Sequence, residues 1–329
     1  MTDKYIPPFT MNEEITNMVI EIGELVGQLT VYDDFQTNLK LRRENRIKTI
    51  HSSLAIENNT LTIEQVTDVI NGRKVLAPPQ DIHEVKNAYE AYEELQKMNP
   101  YSIKDLLKAH KFMMGGLVRE AGVFRSGNVG VYSGDVLIHA GSPANYVPEL
   151  MKDLFSWLKS SKLHPLIKGC IFHYEFEFIH PFADGNGRTG RLWNSLILQK
   201  WKPFFAWLPI ETMIYDNQEK YYEAINKSNS LGESTEFVRF MLKVIQDTLS
   251  EIVKTKTGKS GYFYEKNMGV EEKLLVLLTS DGKISARTAA GILDVSQRQI
   301  ERCIAALKKS GRLKRIGANR NGSWIVVSE

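Results

Sequence analysis

The sequence predicts a mainly α-helical fold with a few short strands, divided into at least two domains. Three observations carry this reading. At 329 residues the chain exceeds the length at which a single hydrophobic core keeps growing. Apolar residues recur with helical spacing over most of it, whereas alternating β-formers are confined to short stretches near 122–148 and 313–327. Charge is uneven: Ser285 to Glu329 holds nine Lys or Arg against three Asp or Glu, net +6, while the whole chain carries +3. A basic C-terminal module is thereby set apart.

Residues 1–95 read as largely helical and 96–250 as a helical core. Between Gly122 and Pro148, β-formers alternate around Ser133-Gly134-Asp135, which predicts a hairpin. Arg188 to Gln199 has a helical apolar pattern through Leu192, Trp193, Ser195, Leu196 and Ile197. Residues 251–265, containing Lys and Gly, read as a linker. In 266–329, a helix over Ala286–Leu293 and a turn at Asp294-Val295 precede Ser296-Gln-Arg-Gln299, a capping box opening a second helix with Ile300, Ile304 and Leu307 inward. Leu313 to Ile316 and Trp324 to Val327 read as strands around Ala318–Gly322.

The chemistry is concentrated in residues 180–191, His-Pro-Phe-Ala-Asp-Gly-Asn-Gly-Arg-Thr-Gly-Arg. Gly185 and Gly187 flank Asn186, so the chain can turn with positive φ and bring successive N–H groups to a ligand without Cβ obstruction. The helix that follows places this turn at its N-terminus, where unpaired N–H groups and the dipole favour a phosphate. Arg188 and Arg191 lie in the first helical turn, where the dipole disfavours cations; an anion offsets that cost, and two guanidinium forks suit a chain of phosphates. Asp184 is placed to hold Mg²⁺ alongside phosphates, and His180 to take a proton from an incoming hydroxyl.

This segment resembles the core motif of the Fic family, His-Pro-Phe-x-(Asp/Glu)-Gly-Asn-Gly-Arg-x-x-Arg, at every specified position. The resemblance implies a Fic-type helical core with a β-hairpin flap and transfer of AMP from ATP to a Ser, Thr or Tyr hydroxyl of a target protein. It implies His180 as base, Asp184 as Mg²⁺ ligand, and Gly185, Asn186, Gly187, Arg188, Thr189, Gly190 and Arg191 as the phosphate site. Residues 53–58, Ser-Leu-Ala-Ile-Glu-Asn, are similar to the family's inhibitory motif, (Ser/Thr)-x-x-x-Glu-(Gly/Asn). Ser53 and Glu57 would then restrain the enzyme, Glu57 by pairing with Arg191. The predicted hairpin corresponds to the flap that holds the target by β-strand addition, here Val136, Leu137 and Ile138. The segment Tyr221–Asn229 resembles the adenine-side helix, with Tyr221 and Asn229 as nucleotide-pocket candidates. Relatives that self-associate or modify their own chain make a homo-oligomer an expectation too. The C-terminal module resembles a winged helix, which would offer Gln297, Arg298, Glu301, Arg302 and Arg320 to DNA.

Other functions are disfavoured. The longest apolar runs fall short of the roughly 18–20 residues that cross a bilayer, and Met1-Thr-Asp-Lys lacks a signal-peptide pattern. Cys170 and Cys303 read as reduced core thiols of a cytoplasmic protein. His173, Glu177 and His180 share a helical face but lack a third strong metal ligand beyond the base. Gly258-Lys259-Ser260 lacks the first glycine of a phosphate loop, since Val253 stands there. The expectation is a Mg²⁺- and ATP-dependent protein adenylyltransferase restrained by Glu57. Its rivals are removal of AMP or transfer of another nucleotide on the same core, and a nucleotide-sensing DNA-binding regulator.

Overall fold

The computed structural model describes residues 5–31, 39–133, 136–260, 269–280, 282, 284–293, 295–316 and 323–326. The hairpin tip at Gly134-Asp135, the turn residue Asp294 and the segment holding Arg320 lie outside them. The chain forms two compact units, 1–249 and 250–329.

In the first unit, α1 (Glu13–Val31), α2 (Leu39–Ala55), α3 (Ile63–Ile70), α4 (Pro79–Glu94) and α5 (Ile103–Met114) precede a hairpin of β1 (Gly130–Ser133) and β2 (Val136–Ala140). Then come α6 (Val147–Ser160), α7 (Pro165–Ile179), α8 (Asn186–Trp201), α9 (Ile210–Asp216), α10 (Gln218–Leu231) and α11 (Thr235–Ser260), whose last residues, from Ser250, belong to the second unit. Residues 251–260, expected as linker, continue α11, and Val253 is buried within it; no helix-breaking residue precedes Gly258.

The architecture centres on α7 and α8, which pack more extensively on each other than any other pair of elements. Pro165 opens α7 at a position where its missing N–H costs nothing, and the His164 ring accepts from Leu166 N at 3.3 Å. Leu166, Ile167, Cys170, Ile171, Phe172 and Phe176 are all buried, so α7 is apolar around its circumference, as an interior helix must be. On α8, Leu192, Trp193, Leu196 and Leu198 are fully enclosed; burying each such side chain contributes about 1.5–3 kcal/mol. Gly190 is a contact point between the two helices: a Cβ there would lie 2.8 Å from Glu177 Oε1 and 3.2 Å from the His173 ring. The absence of a Cβ at Gly190 serves packing.

Ahead of the core, α3 opens with a full capping box between Thr62 and Gln65, and α5 is capped by Ser102. The Thr62 cap fixes where α3 begins, just after the end of α2 and the residues from Ser53 to Glu57 that reach the site. The hairpin pairs Gly130 with Ala140 and Ser133 with Val136, with a bulge between Val131 and Tyr132.

The second unit contains α12 (Val270–Ser280), α13 (Ala286–Leu293), α14 (Gln297–Lys309), β3 (Leu313–Ile316) and β4 (Ser323–Val326), the strands antiparallel. Leu274, Leu277, Leu278, Ala289, Ile300, Cys303, Leu307 and Leu313 form its core, with Trp324 packed against it. Ser296 Oγ accepts from Gln299 N at 3.2 Å, the forward half of the expected capping box.

Candidate active site

The site begins where α7 stops. His180 caps that helix in the left-handed region (φ 53°, ψ 62°), with its N–H donating to Phe176 O at 2.9 Å. Pro181 cannot continue the helix, and a non-glycine residue in this conformation carries strain of about 1 kcal/mol or more, offset by its surroundings. His180 Nδ1 lies 3.3 Å from Glu177 O. A carbonyl only accepts, so this contact puts the proton on Nδ1 and the lone pair on Nε2, the tautomer a base requires.

The turn between the helices is held from within. Asn186 donates Nδ2 to Phe182 O and accepts at Oδ1 from Phe182 N, both at 2.9 Å, while 2 % exposed. Leaving those main-chain groups unpaired would cost about 1–3 kcal/mol each. Gly185 is the N-cap of α8 at φ 81°, and a Cβ there would sit 2.6 Å from Met114 Cγ, so glycine is required on both counts. Gly185 supplies no side-chain cap, which leaves the first N–H groups of α8 for a ligand. His110, on α5, steadies the same turn. Gly122 N donates to its Nδ1 at 2.9 Å, so Nε2 carries the proton and donates to Asp184 O at 2.9 Å. The ring stacks on Phe182 at 3.7 Å, and burial pushes its pKa down to about 4, keeping it neutral.

The two arginines have different partners. Arg191 is buried, and donates from Nη2 to Glu57 Oε1 at 2.7 Å and Ser53 O at 2.9 Å, and from Nε to Ser53 Oγ at 3.2 Å. Burial opposes its charge, but Glu57 outweighs that and its pKa is raised. A Cβ on Gly187 would collide with Glu57 Oε1 and lie 3.0 Å from Arg191 Nη1. Glu57 therefore places a carboxylate oxygen against the open face of the glycine turn. Arg188 instead reaches Glu84 Oε1 and Asp184 Oδ1, each at 3.2 Å. Glu84 Oε2 accepts from Asn59 Nδ2 at 2.8 Å, which joins Arg188 to the stretch just after Glu57. Glu84, Asn59, His110 and Arg125 escaped sequence reasoning. They stand far from the motif in the chain and match no local pattern.

Asp184 has a side chain 58 % exposed beside the turn, and Arg188 holds its Oδ1. Among the described residues no cluster of three His, Cys, Asp or Glu is positioned to hold a metal. One accessible carboxylate next to a phosphate cradle fits Mg²⁺, which takes its remaining ligands from substrate phosphates and water.

Thr189 is fully buried, and Gly190 faces α7 in the interior. Tyr221 is 2 % exposed, with its hydroxyl 3.2 Å from His173 Nε2, and so lies within the wall. Its neighbour Tyr222 is the exposed ring. Asn229 Oδ1 accepts from Tyr174 OH at 2.9 Å. His173 and Glu177, 3.8 Å apart, form the floor. Burial pushes His173 down to about 3 and Glu177 up to about 8. A carboxyl with a folded pKa near 8 against an ordinary 4.5 loses stabilisation as pH rises between those values, because only the unfolded chain releases its proton there. Glu177→Gln is expected to flatten the pH dependence of unfolding between about 4.5 and 8, measured in urea across that range.

The fold and the cradle together define a helical domain with an anion-accepting turn at the start of α8, and comparison with known proteins says to which family it belongs. Residues 100–198 match the Fic/DOC family. The chain is 42 % identical to a Fic family protein from Desulfovibrio desulfuricans G20 of known crystal structure, with a TM-score of 0.75 and 99 % of each chain covered. It belongs to the Fic family. The structure of Fic-1 (residues 134 to 508) from Caenorhabditis elegans matches with a TM-score of 0.63 at 25 % identity, covering 74 % of this chain and 73 % of that one. Curated relatives are named Protein adenylyltransferase fic-1 in Caenorhabditis briggsae and Protein adenylyltransferase Fic in Nematostella vectensis, each 29 % identical. Those matches span 71 % and 65 % of this chain but only 47 % and 50 % of the relatives, so the chain spans about half their length.

Proposed function

We propose that the protein is an adenylyltransferase that moves AMP from ATP to a hydroxyl of a target protein, with Glu57 as its restraint. The observation that carries this is the anion cradle of Gly185–Gly187 set between a left-handed His180 and the buried Arg191. ATP phosphates bind the N–H groups at the start of α8 and, once Glu57 withdraws, the Arg191 fork. The target segment adds to β2 through Val136, Leu137 and Ile138, leaving its hydroxyl near Nε2. Nε2 accepts the hydroxyl proton, the oxygen forms a bond to the α-phosphorus, and the bond from that phosphorus to the bridging oxygen breaks, releasing pyrophosphate. Asp184, oriented by Arg188, would hold Mg²⁺, which when bound neutralises phosphate charge. Arg188 thus serves the carboxylate rather than gripping phosphate directly.

The test is mass spectrometry of the chain and of a host lysate after incubation with ATP and Mg²⁺. AMP adducts on protein hydroxyls support the reading, and nucleotide binding without any adduct on any protein sinks it. No described helix is long and apolar enough to cross a membrane, and the buried free thiols of Cys170 and Cys303 agree with a reducing, cytoplasmic setting.

The second unit supports DNA binding as an added role. Its three helices and two-stranded sheet suit a winged helix, and Gln297, Arg298, Glu301 and Arg302 are exposed along α14, opposite the buried Ile300, Cys303 and Leu307. Gln297 Nε2 donates to Glu301 Oε1 at 2.8 Å, leaving Arg298 and Arg302 as the cationic pair on that face. Replacing either arginine with Ala is expected to weaken duplex binding and to lower the slope of log affinity against log salt by about 0.9, as for one phosphate contact. Equal slopes for wild type and both variants would assign the module to protein docking.

A further inference from the structure

Arg125 is 3 % exposed, and main-chain carbonyls surround its guanidinium. Nε donates to His180 O at 2.7 Å, Nη1 to Gly127 O at 2.8 Å, and Nη2 to Ile179 O at 3.3 Å and to Ser142 O. Its own N–H donates to Pro181 O at 3.0 Å. Of the four guanidinium acceptors, two, Ile179 O and His180 O, lie at the C-terminus of α7, where the helix dipole favours a cation. The other two flank the β1–β2 hairpin, one on each side.

The hairpin foot also touches the histidine directly. Gly141 N donates to Val129 O at 3.1 Å, and a Cβ on Gly141 would lie 3.0 Å from Arg125 Nη2 and 3.3 Å from His180 Cβ. Asn128 Oδ1 accepts from Ala144 N at 3.0 Å, closing the two feet on each other below the strands. The geometry joins three chain segments through one planar fork of five donors, an arrangement that the three donors of a lysine ammonium cannot reproduce.

We propose that Arg125 is a positioning residue that locks the hairpin to the backbone of His180, setting the distance between a hydroxyl held on β2 and the base. This rests on the adenylyltransferase reading for its catalytic consequence, but the mechanical coupling stands apart from it. ATP is held by the opposite side of the site, by α8 and Arg191, so loss of Arg125 separates target use from nucleotide use. Misplacing a reacting group by about 1 Å costs on the order of a hundredfold in rate.

The experiment compares Arg125→Gln, Arg125→Lys and Gly141→Ala in the full chain carrying Glu57→Gly. Four quantities are read: hydrogen exchange of the hairpin amides, the titration of the His180 ring by NMR, ATP affinity by calorimetry, and AMP incorporation into lysate proteins. For Arg125→Gln we expect hairpin exchange faster by about tenfold or more, a displaced His180 titration, AMP incorporation reduced by about tenfold to a hundredfold, and ATP affinity within about twofold of the parent. Arg125→Lys should recover only part of each loss. If Arg125→Gln fails to fold, Gly141→Ala, which keeps the fork but crowds the foot, should show the same split between unchanged ATP affinity and reduced incorporation. Unaltered hairpin exchange and His180 titration in folded Arg125→Gln, or in Gly141→Ala if the former does not fold, would overturn the coupling. A parent that binds ATP but modifies no protein removes the adenylyltransferase reading instead, and exchange and titration still decide the role of Arg125.

Discussion

Glu57→Gly is expected to raise AMP transfer by thirtyfold or more. Glu57 Oε1 holds the Arg191 fork at 2.7 Å and lies against the Cβ-free face of Gly187, so on the proposed reading one carboxylate would block both the cation and the cradle that a triphosphate needs. Contacts of this kind are worth about 2 kcal/mol or more, and about 1.4 kcal/mol corresponds to each factor of ten. The same substitution leaves Arg191 buried with only Ser53 as its partner among the contacts described, so the nucleotide-free variant should melt below wild type. The Glu57 side chain is 29 % exposed, which lowers that cost through solvent screening. ATP should then restore more melting temperature to the variant than to wild type, because it replaces the missing anion. Steady-state AMP incorporation and thermal melts with and without ATP check both effects. Equal transfer in the two proteins would remove Glu57 from regulation.

His180→Ala in the Glu57→Gly background should lose about a hundredfold to ten-thousandfold in transfer, the range a positioned general base supplies. ATP affinity should change little, since the proposed function assigns the phosphate contacts to α8 and Arg191 and the His180 ring to the incoming hydroxyl. The backbone of His180 is held through Arg125 and the end of α7, both independent of the imidazole, so the variant should keep its fold. Single-turnover measurements with the tight-binding Glu57→Gly parent separate the two parameters. Loss of ATP affinity equal to the loss of rate would make His180 a nucleotide ligand rather than a base.

Much of this site was legible in the chain because its parts are close in sequence. The positive φ of Gly185 and the helix beginning beside it both follow from residue types within one twelve-residue segment. The same holds for α13 and for β3, whose bounds agree with the pattern of apolar residues, and for the Ser296 cap. The hairpin pairing Ser133 with Val136 was likewise readable from local alternation. The reading was poorest where a side chain's role depends on what packs over it. Arg188 looks like a phosphate clamp in the motif, yet Glu84 and Asp184 occupy its fork. Tyr221 looks like a pocket residue, yet it lies inward against His173 while Tyr222 takes the exposed position.

By itself the sequence determined the helical class, the basic C-terminal module, the family resemblance and the glycine-framed turn with its histidine and arginines. These rest on short-range physics: backbone preferences, helix periodicity, end effects and charge within a few residues of one another. Only the tertiary structure decided that Glu84 and Asp184 occupy the Arg188 fork, how the hairpin is tied to His180 through Arg125, and that the His173 and Glu177 pair is enclosed rather than open to a metal. The contacts of Arg188 with Glu84 and of Arg125 with His180 join residues 104 and 55 positions apart, where pairing is set by how helices pack and by which charges burial forces together, and neither leaves a local trace in the chain.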